Sequence, residues 1–171
     1  MNGINRKFLI LFTISYIIFA CKKEQRKVKD SINSANNNKI TVNDVSKLQY
    51  LMFDLSPEAN TWIKNWKEYN KIKTVVDEVK EANFSFFNEN SDNIKLLIKE
   101  LKQHTPKRLK TPLVNARLLT VETSIQHLES ILSFKTSNKK DVLSAVSMLI
   151  NAFYNLNLQI NKNVEFYTLG Q

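Results

Sequence analysis

A chain of 171 residues is long enough for one domain with a hydrophobic core, and its 43% hydrophobic and 24% charged residues are in the range of a folded globular protein. Its formal net charge is +9, and it holds only two glycines, Gly3 and Gly170, with three prolines. The absence of glycine from residue 4 to 169 excludes a phosphate-cradling loop, a dinucleotide fingerprint and a nucleophile elbow, each of which needs glycine where the backbone closes on a ligand or turns sharply. It also disfavours β-sandwiches and doubly wound α/β folds, which use glycine at their turns.

The first segment has a positive start, Arg6 and Lys7, then an uncharged run from Phe8 to Ala20. At ~1.5 Å per residue this run spans about 20 Å, short of a ~30 Å hydrocarbon core. It has the size of a secretory signal core rather than of a membrane span. Cys21, the single cysteine, follows at once, so no disulfide within the chain and no resolving thiol exists.

The four residues Ile18-Phe19-Ala20-Cys21 resemble the lipobox of bacterial lipoproteins. The resemblance implies a diacylglycerol on the Cys21 thiol, cleavage before Cys21 and acylation, as by palmitate, of the new amino terminus. Two or three acyl chains on one residue would make release from a bilayer negligible, since each buried CH₂ contributes about 0.8 kcal/mol. The protein is then expected at an extracytoplasmic membrane face, in the outer membrane of a cell envelope, with the lipid bilayer as a partner through acylated Cys21. Lys22, Lys23 and Glu24 resemble the Lys-plus-acidic tract that sends some Bacteroidetes lipoproteins to the cell surface. They read equally well as the start of an ordinary tether, so the periplasmic and surface faces both stay open.

Removing residues 1–20 takes away Arg6 and Lys7 and no acid, which lowers the charge from +9 to +7. Residues 22–40 are polar and include Asn36-Asn37-Asn38. They lack the apolar side chains needed to offset ordering entropy, and a flexible coil of this length has a root-mean-square span of roughly 25 Å. The expected organisation is a signal peptide at 1–20, a lipidated cysteine and flexible tether at 21–40, and a helical domain at 41–171.

From residue 41 the apolar spacing is helical. Val45, Leu48, Met52 and Leu55 predict a short first helix, capped by Thr41 or Asn43. Ser56-Pro57-Glu58 reads as an N-cap, a proline at the first helical position and an acid in the first turn. The helix it opens is expected to be long, with Trp62, Trp66, Tyr69, Ile72, Val76 and Val79 on its inner face and Phe86 as a possible extension. Ser91 is a cap for a helix carrying Ile94, Leu97, Ile98 and Leu101. Thr105-Pro106 and Thr111-Pro112 are two more cap-plus-proline pairs, and the second opens a heptad seam of Val114, Leu118, Val121, Ile125, Leu128 and Leu132. After a polar break at 135–138, Val142, Val146, Leu149, Phe153, Leu156 and Ile160 repeat the same steps. Two matched seams joined by a short connection predict antiparallel neighbours. The expected fold is all-α, an up-down helical bundle of three long helices plus one or two short helices.

The chemical inventory is thin. His104 and His127 are the only histidines, and no Glu-x-x-His pair occurs, so no metal site and no cofactor is expected. Glu100 and His104 share a helix face, where a local ion pair is the favoured reading. No base stands beside a serine, and no catalytic residue is assigned; the protein is expected not to be an enzyme. Arg117 and Glu122 flank the heptad seam at positions suited to structural ion pairs between helices. Trp62, Trp66, Phe84 and Phe87 are candidates for an apolar ligand cleft, although helical spacing makes core packing the better expectation for most of them. Lys99, Lys102, Lys107, Arg108 and Lys110 form a basic cluster without interleaved aromatics, so it is read as a solvated face and no nucleic acid is expected as a partner.

Pro112, Ala116-Arg117-Leu118, Glu122-Thr123 and the segment Asn155 to Asn161 resemble a group of small, uncharacterised helical lipoproteins of the Bacteroidetes. That resemblance implies a helical body and supplies no reaction or ligand. The expected function is a membrane-anchored, non-catalytic interaction module that contacts an envelope protein, with a ligand-binding lipoprotein as the alternative.

Overall fold

In the computed structural model, which describes residues 39–88, 91–134 and 136–170, all regular structure among the described residues is helical. The chain divides after Lys39, and the helical unit begins at Ile40. The expected leader, Cys21 and the tether lie outside the described residues, apart from Lys39 and Ile40.

Helix α1 spans Val42–Ser46. The Thr41 hydroxyl accepts from the Asp44 N–H, and the Asp44 carboxylate accepts from the Thr41 N–H at 2.9 Å, a reciprocal capping box. The helix stops there. Met52, expected on its inner face, is 64% exposed, and the chain from Leu48 to Leu55 is a non-helical strap. The reason is tertiary. Tyr50, Phe53 and Leu55 pack on the core from the strap, and Asn161 clamps its end by donating to the Asp54 carbonyl and accepting from the Ser56 N–H.

Helix α2, Pro57–Ile63, starts as the Ser-Pro-Glu pattern predicts, with Ser56 Oγ accepting from the Ala59 N–H. The single long helix expected from this point is two helices. Lys64–Trp66 interrupts it, and α3 runs Lys67–Lys80. Trp66 sits at the break with non-helical backbone angles, its indole buried and its Nε1–H donating to the Leu101 carbonyl at 3.1 Å. A continuous helix would have placed Trp62 and Trp66 on one stripe. The break instead sends Trp66 into the core and leaves Trp62 half-buried at another place. Phe86 does not extend α3; it lies buried in a 3₁₀ turn, Ser85–Asn88.

Helix α4, Ser91–Gln103, buries Ile94, Leu97, Ile98 and Leu101, the stripe its sequence spacing sets. Thr105 does not cap a following helix. Its hydroxyl donates backwards to the Leu101 and Lys102 carbonyls and finishes α4, and Pro106 opens a 3₁₀ turn at Lys107–Leu109. Helix α5, Pro112–Ser133, is capped by Thr111, and α6, Lys139–Leu169, by Asn138. All six seam residues of α6 are buried; in α5 the first five are buried and Leu132 is partly so.

The five-residue connection from Phe134 to Asn138 forces α5 and α6 into an antiparallel hairpin, and the Asn163 side-chain amide of α6 donates to the Arg108 carbonyl just ahead of α5. Helix α6 packs against α5 and also against α1, α2 and α3. That position explains why it is apolar beyond one stripe, with Ala145, Ile150, Ala152 and Tyr154 buried besides the seam. Among the described residues, no helix is long and apolar enough to cross a membrane.

Candidate functional site

Cys21, the residue on which the sequence places most chemistry, lies outside the described residues, so the sites available in the helical unit are surfaces. The four aromatics considered for a cleft go to separate places. Trp66 is core, with its ring 5.5 Å from that of Tyr69. Trp62 is covered by the Arg108 guanidinium at 5.1 Å and by Tyr167 at 5.7 Å. Phe84 and Phe87 are half-buried flanks of Phe86 on the 3₁₀ turn. The geometry makes each of them a packing group.

Glu122 joins α5 to α4 through Lys102 at 2.8 Å, whereas Arg117 is exposed and makes no ion pair among the described residues. The basic cluster is also partly occupied. Lys102 holds Glu122, Lys110 donates to the Gln103 carbonyl, and Arg108 covers Trp62. His104 does not pair with Glu100. Its Nδ1 lies 2.9 Å from Glu68 Oε1, joining the end of α4 to α3. Burial works to raise the Glu68 carboxyl, but the His104 hydrogen bond and a backbone N–H outweigh it, and the group sits below its ordinary range. Beside this pair, Lys67, Lys71, Leu96 and Glu100 border an open groove of about 290 Å³ between α3 and α4.

A second polar junction was not singled out by sequence spacing. Tyr69 donates its phenol to Asn157 Oδ1 at 2.8 Å inside the core. Burial pushes the Tyr69 phenol up, so it stays a donor at every physiological pH. Tyr69 was legible as an inner-face residue; its partner was not, because Asn157 lies beside the α6 seam and a polar residue there gives no apolar signal.

Another surface feature is at the closed end of the α5–α6 hairpin. Asp44 of α1 and Lys139 of α6 pair at 2.7 Å. The Lys139 ammonium, followed by the Thr41 hydroxyl and N–H, holds the Asp44 carboxyl down at about 2. Next to this pair an open groove of about 670 Å³ has a mainly apolar floor of Leu48, Leu143 and Met148, with Lys139 and Lys140 at its edge. Phe134, in the connection, is 60% exposed. Among the described residues, no group of three or more His, Cys, Asp or Glu is placed to hold a metal ion. No protein-family model matches the chain, and no curated protein and no solved structure matches it.

Proposed function

We propose that the protein is a membrane-anchored, non-catalytic lipoprotein, held by acyl chains on Cys21 in the outer membrane of a bacterial envelope, whose helical unit serves as an interaction module for an envelope protein. The observation that carries the proposal is the order of the first 21 residues: two cations, an uncharged run too short to span a bilayer, and a small residue directly before the single cysteine. The thin catalytic inventory of the sequence also supports it. The body is, in this reading, an up-down bundle whose long members are α3, α5 and α6, with α4 and the shorter pieces packed around them, and it belongs with the small helical lipoproteins of the Bacteroidetes.

Metabolic labelling with a fatty acid tests the anchor. Label is expected on the wild-type chain and absent from Cys21→Ala, and an unlabelled wild-type chain that keeps residues 1–20 would overturn the proposal. Crosslinking in intact cells tests the module. A specific envelope protein is expected in excess over a Cys21→Ala control.

A further inference from the structure

The position at which the chain enters the helical unit marks the end of the body to which the preceding segment is joined. Ile40 packs against the core, Thr41 caps α1, and Asp44 of α1 is tied to Lys139 in the first turn of α6. The entry therefore lies at the closed end of the α5–α6 hairpin. From there α6 runs 31 residues, about 45 Å, so Phe166 and Leu169 are at the far end.

We propose that the closed end of the hairpin, with Phe134, Lys47 and Lys140 at its surface, is a docking face for anionic lipid headgroups that orients the body on its own membrane. This rests on the reading of Cys21 as the lipid anchor. Lys47 and Lys140 are exposed and make no ion pair among the described residues, while Asp44, an acid at this end, is already neutralised by Lys139. Asp141, exposed in the first turn of α6, offsets one of these charges. Phe134 supplies an exposed apolar ring that can enter the boundary between headgroups and acyl chains. Lysine stems can lie along the apolar floor of Leu48, Leu143 and Met148 while their ammonium groups reach lipid phosphates.

A patch of this size would not hold a free protein on a bilayer. An anchored body needs much less, because the tether turns docking into an intramolecular step at high effective concentration. The other basic stretch, Lys107 to Lys110, lies ahead of α5 at the open end, near Asn163, the end opposite the chain's entry.

The test uses the acylated protein in vesicles of phosphatidylcholine, with and without phosphatidylglycerol. Because Cys21 is blocked by lipid, a fluorophore on Thr136→Cys or Glu165→Cys marks one end each. Quenching by spin-labelled lipid is expected at position 136 in anionic vesicles, to be much weaker there in neutral ones, and to be absent at 165. Lys47→Gln and Lys140→Gln are each expected to lower the docked-to-free ratio roughly fivefold. Equal quenching at both positions, or quenching at 136 that ignores lipid charge, overturns the proposal. So does shielding of 136 that rises with protein density, which would assign this end to a second copy of the chain. Protein that floats with vesicles but shows no quenching at 136 refutes the docking face and leaves the anchor standing; protein that does not float refutes both.

Discussion

Ala82 has φ 55°, the only left-handed non-glycine residue among those described. It follows α3, where its N–H donates to the Val79 carbonyl and the Asn83 N–H to the Glu78 carbonyl, the pairing of a Schellman end. That position ordinarily takes glycine, because a Cβ there crowds the following carbonyl. A chain with no glycine from residue 4 to 169 uses the smallest side chain available. Ala82→Gly is therefore expected to stabilise the fold by about 0.5–1 kcal/mol, the relieved strain exceeding the added entropy of the unfolded chain. Ala82→Val should destabilise it. Urea denaturation of the two variants gives opposite shifts of the midpoint if the account is right.

The junction of Glu68 with His104 also belongs to single residues but is felt in pH. The Glu68 carboxyl is lower in the fold than its ordinary 4.5. A carboxyl with a depressed folded pKa contributes stability that is fully present above its unfolded value and is lost as pH falls through the folded one. Stability should thus decline below pH 4.5, and Glu68→Gln should show a shallower decline over that window. Equal slopes for the two proteins in urea titrations from pH 6 to 3 would refute a role for the pair.

At the scale of elements, the seams of α5 and α6 show why heptad spacing is a reliable guide. Each seam residue of α6 meets the core, and Leu149 is fully buried. Leu149→Ala is expected to cost about 2–5 kcal/mol from lost burial and the cavity left behind. Met52→Ala, on the strap, should stay within about 0.5 kcal/mol because that side chain is 64% exposed. The two substitutions remove comparable apolar side chains, so their contrast in chemical denaturation measures position alone. The division of α2 from α3 makes the complementary point. No proline or glycine marks Lys64–Trp66, and Asn65 and Trp66 are only moderately weak helix formers. The break lets the Trp66 indole enter the core, where its Nε1–H meets the Leu101 carbonyl, thirty-five positions further along the chain.

For the whole molecule, the core residues of the described structure run from Val45 to Val164, and in the proposed reading Cys21 serves only as the anchor. Cys21→Ala is accordingly expected to unfold at the same thermal midpoint as wild type while no longer floating with vesicles. A lowered midpoint would mean that the anchor residue has a second, structural role.

The amino-acid sequence by itself determined that the body is helical, where most helices start, and which faces of α4, α5 and α6 are buried. Those features depend on side-chain period and on caps within four residues of each other, such as Ser56 with Ala59 and Thr111 with Val114. The order of residues 1–21 likewise carries the anchor proposal without any help from the fold. Only the tertiary structure decided that the strap at Leu48–Leu55 is non-helical, that Trp62 and Trp66 part company, that His104 chooses Glu68 over Glu100, and that the chain enters beside Lys139. Each of those depends on a partner distant in sequence, Asn161 for the strap and Asp44 for Lys139 among them. A polar or aromatic group commits to such a partner only when burial makes an unmet hydrogen bond or an unpaired charge expensive, and burial is a property of the assembled helices rather than of any one segment.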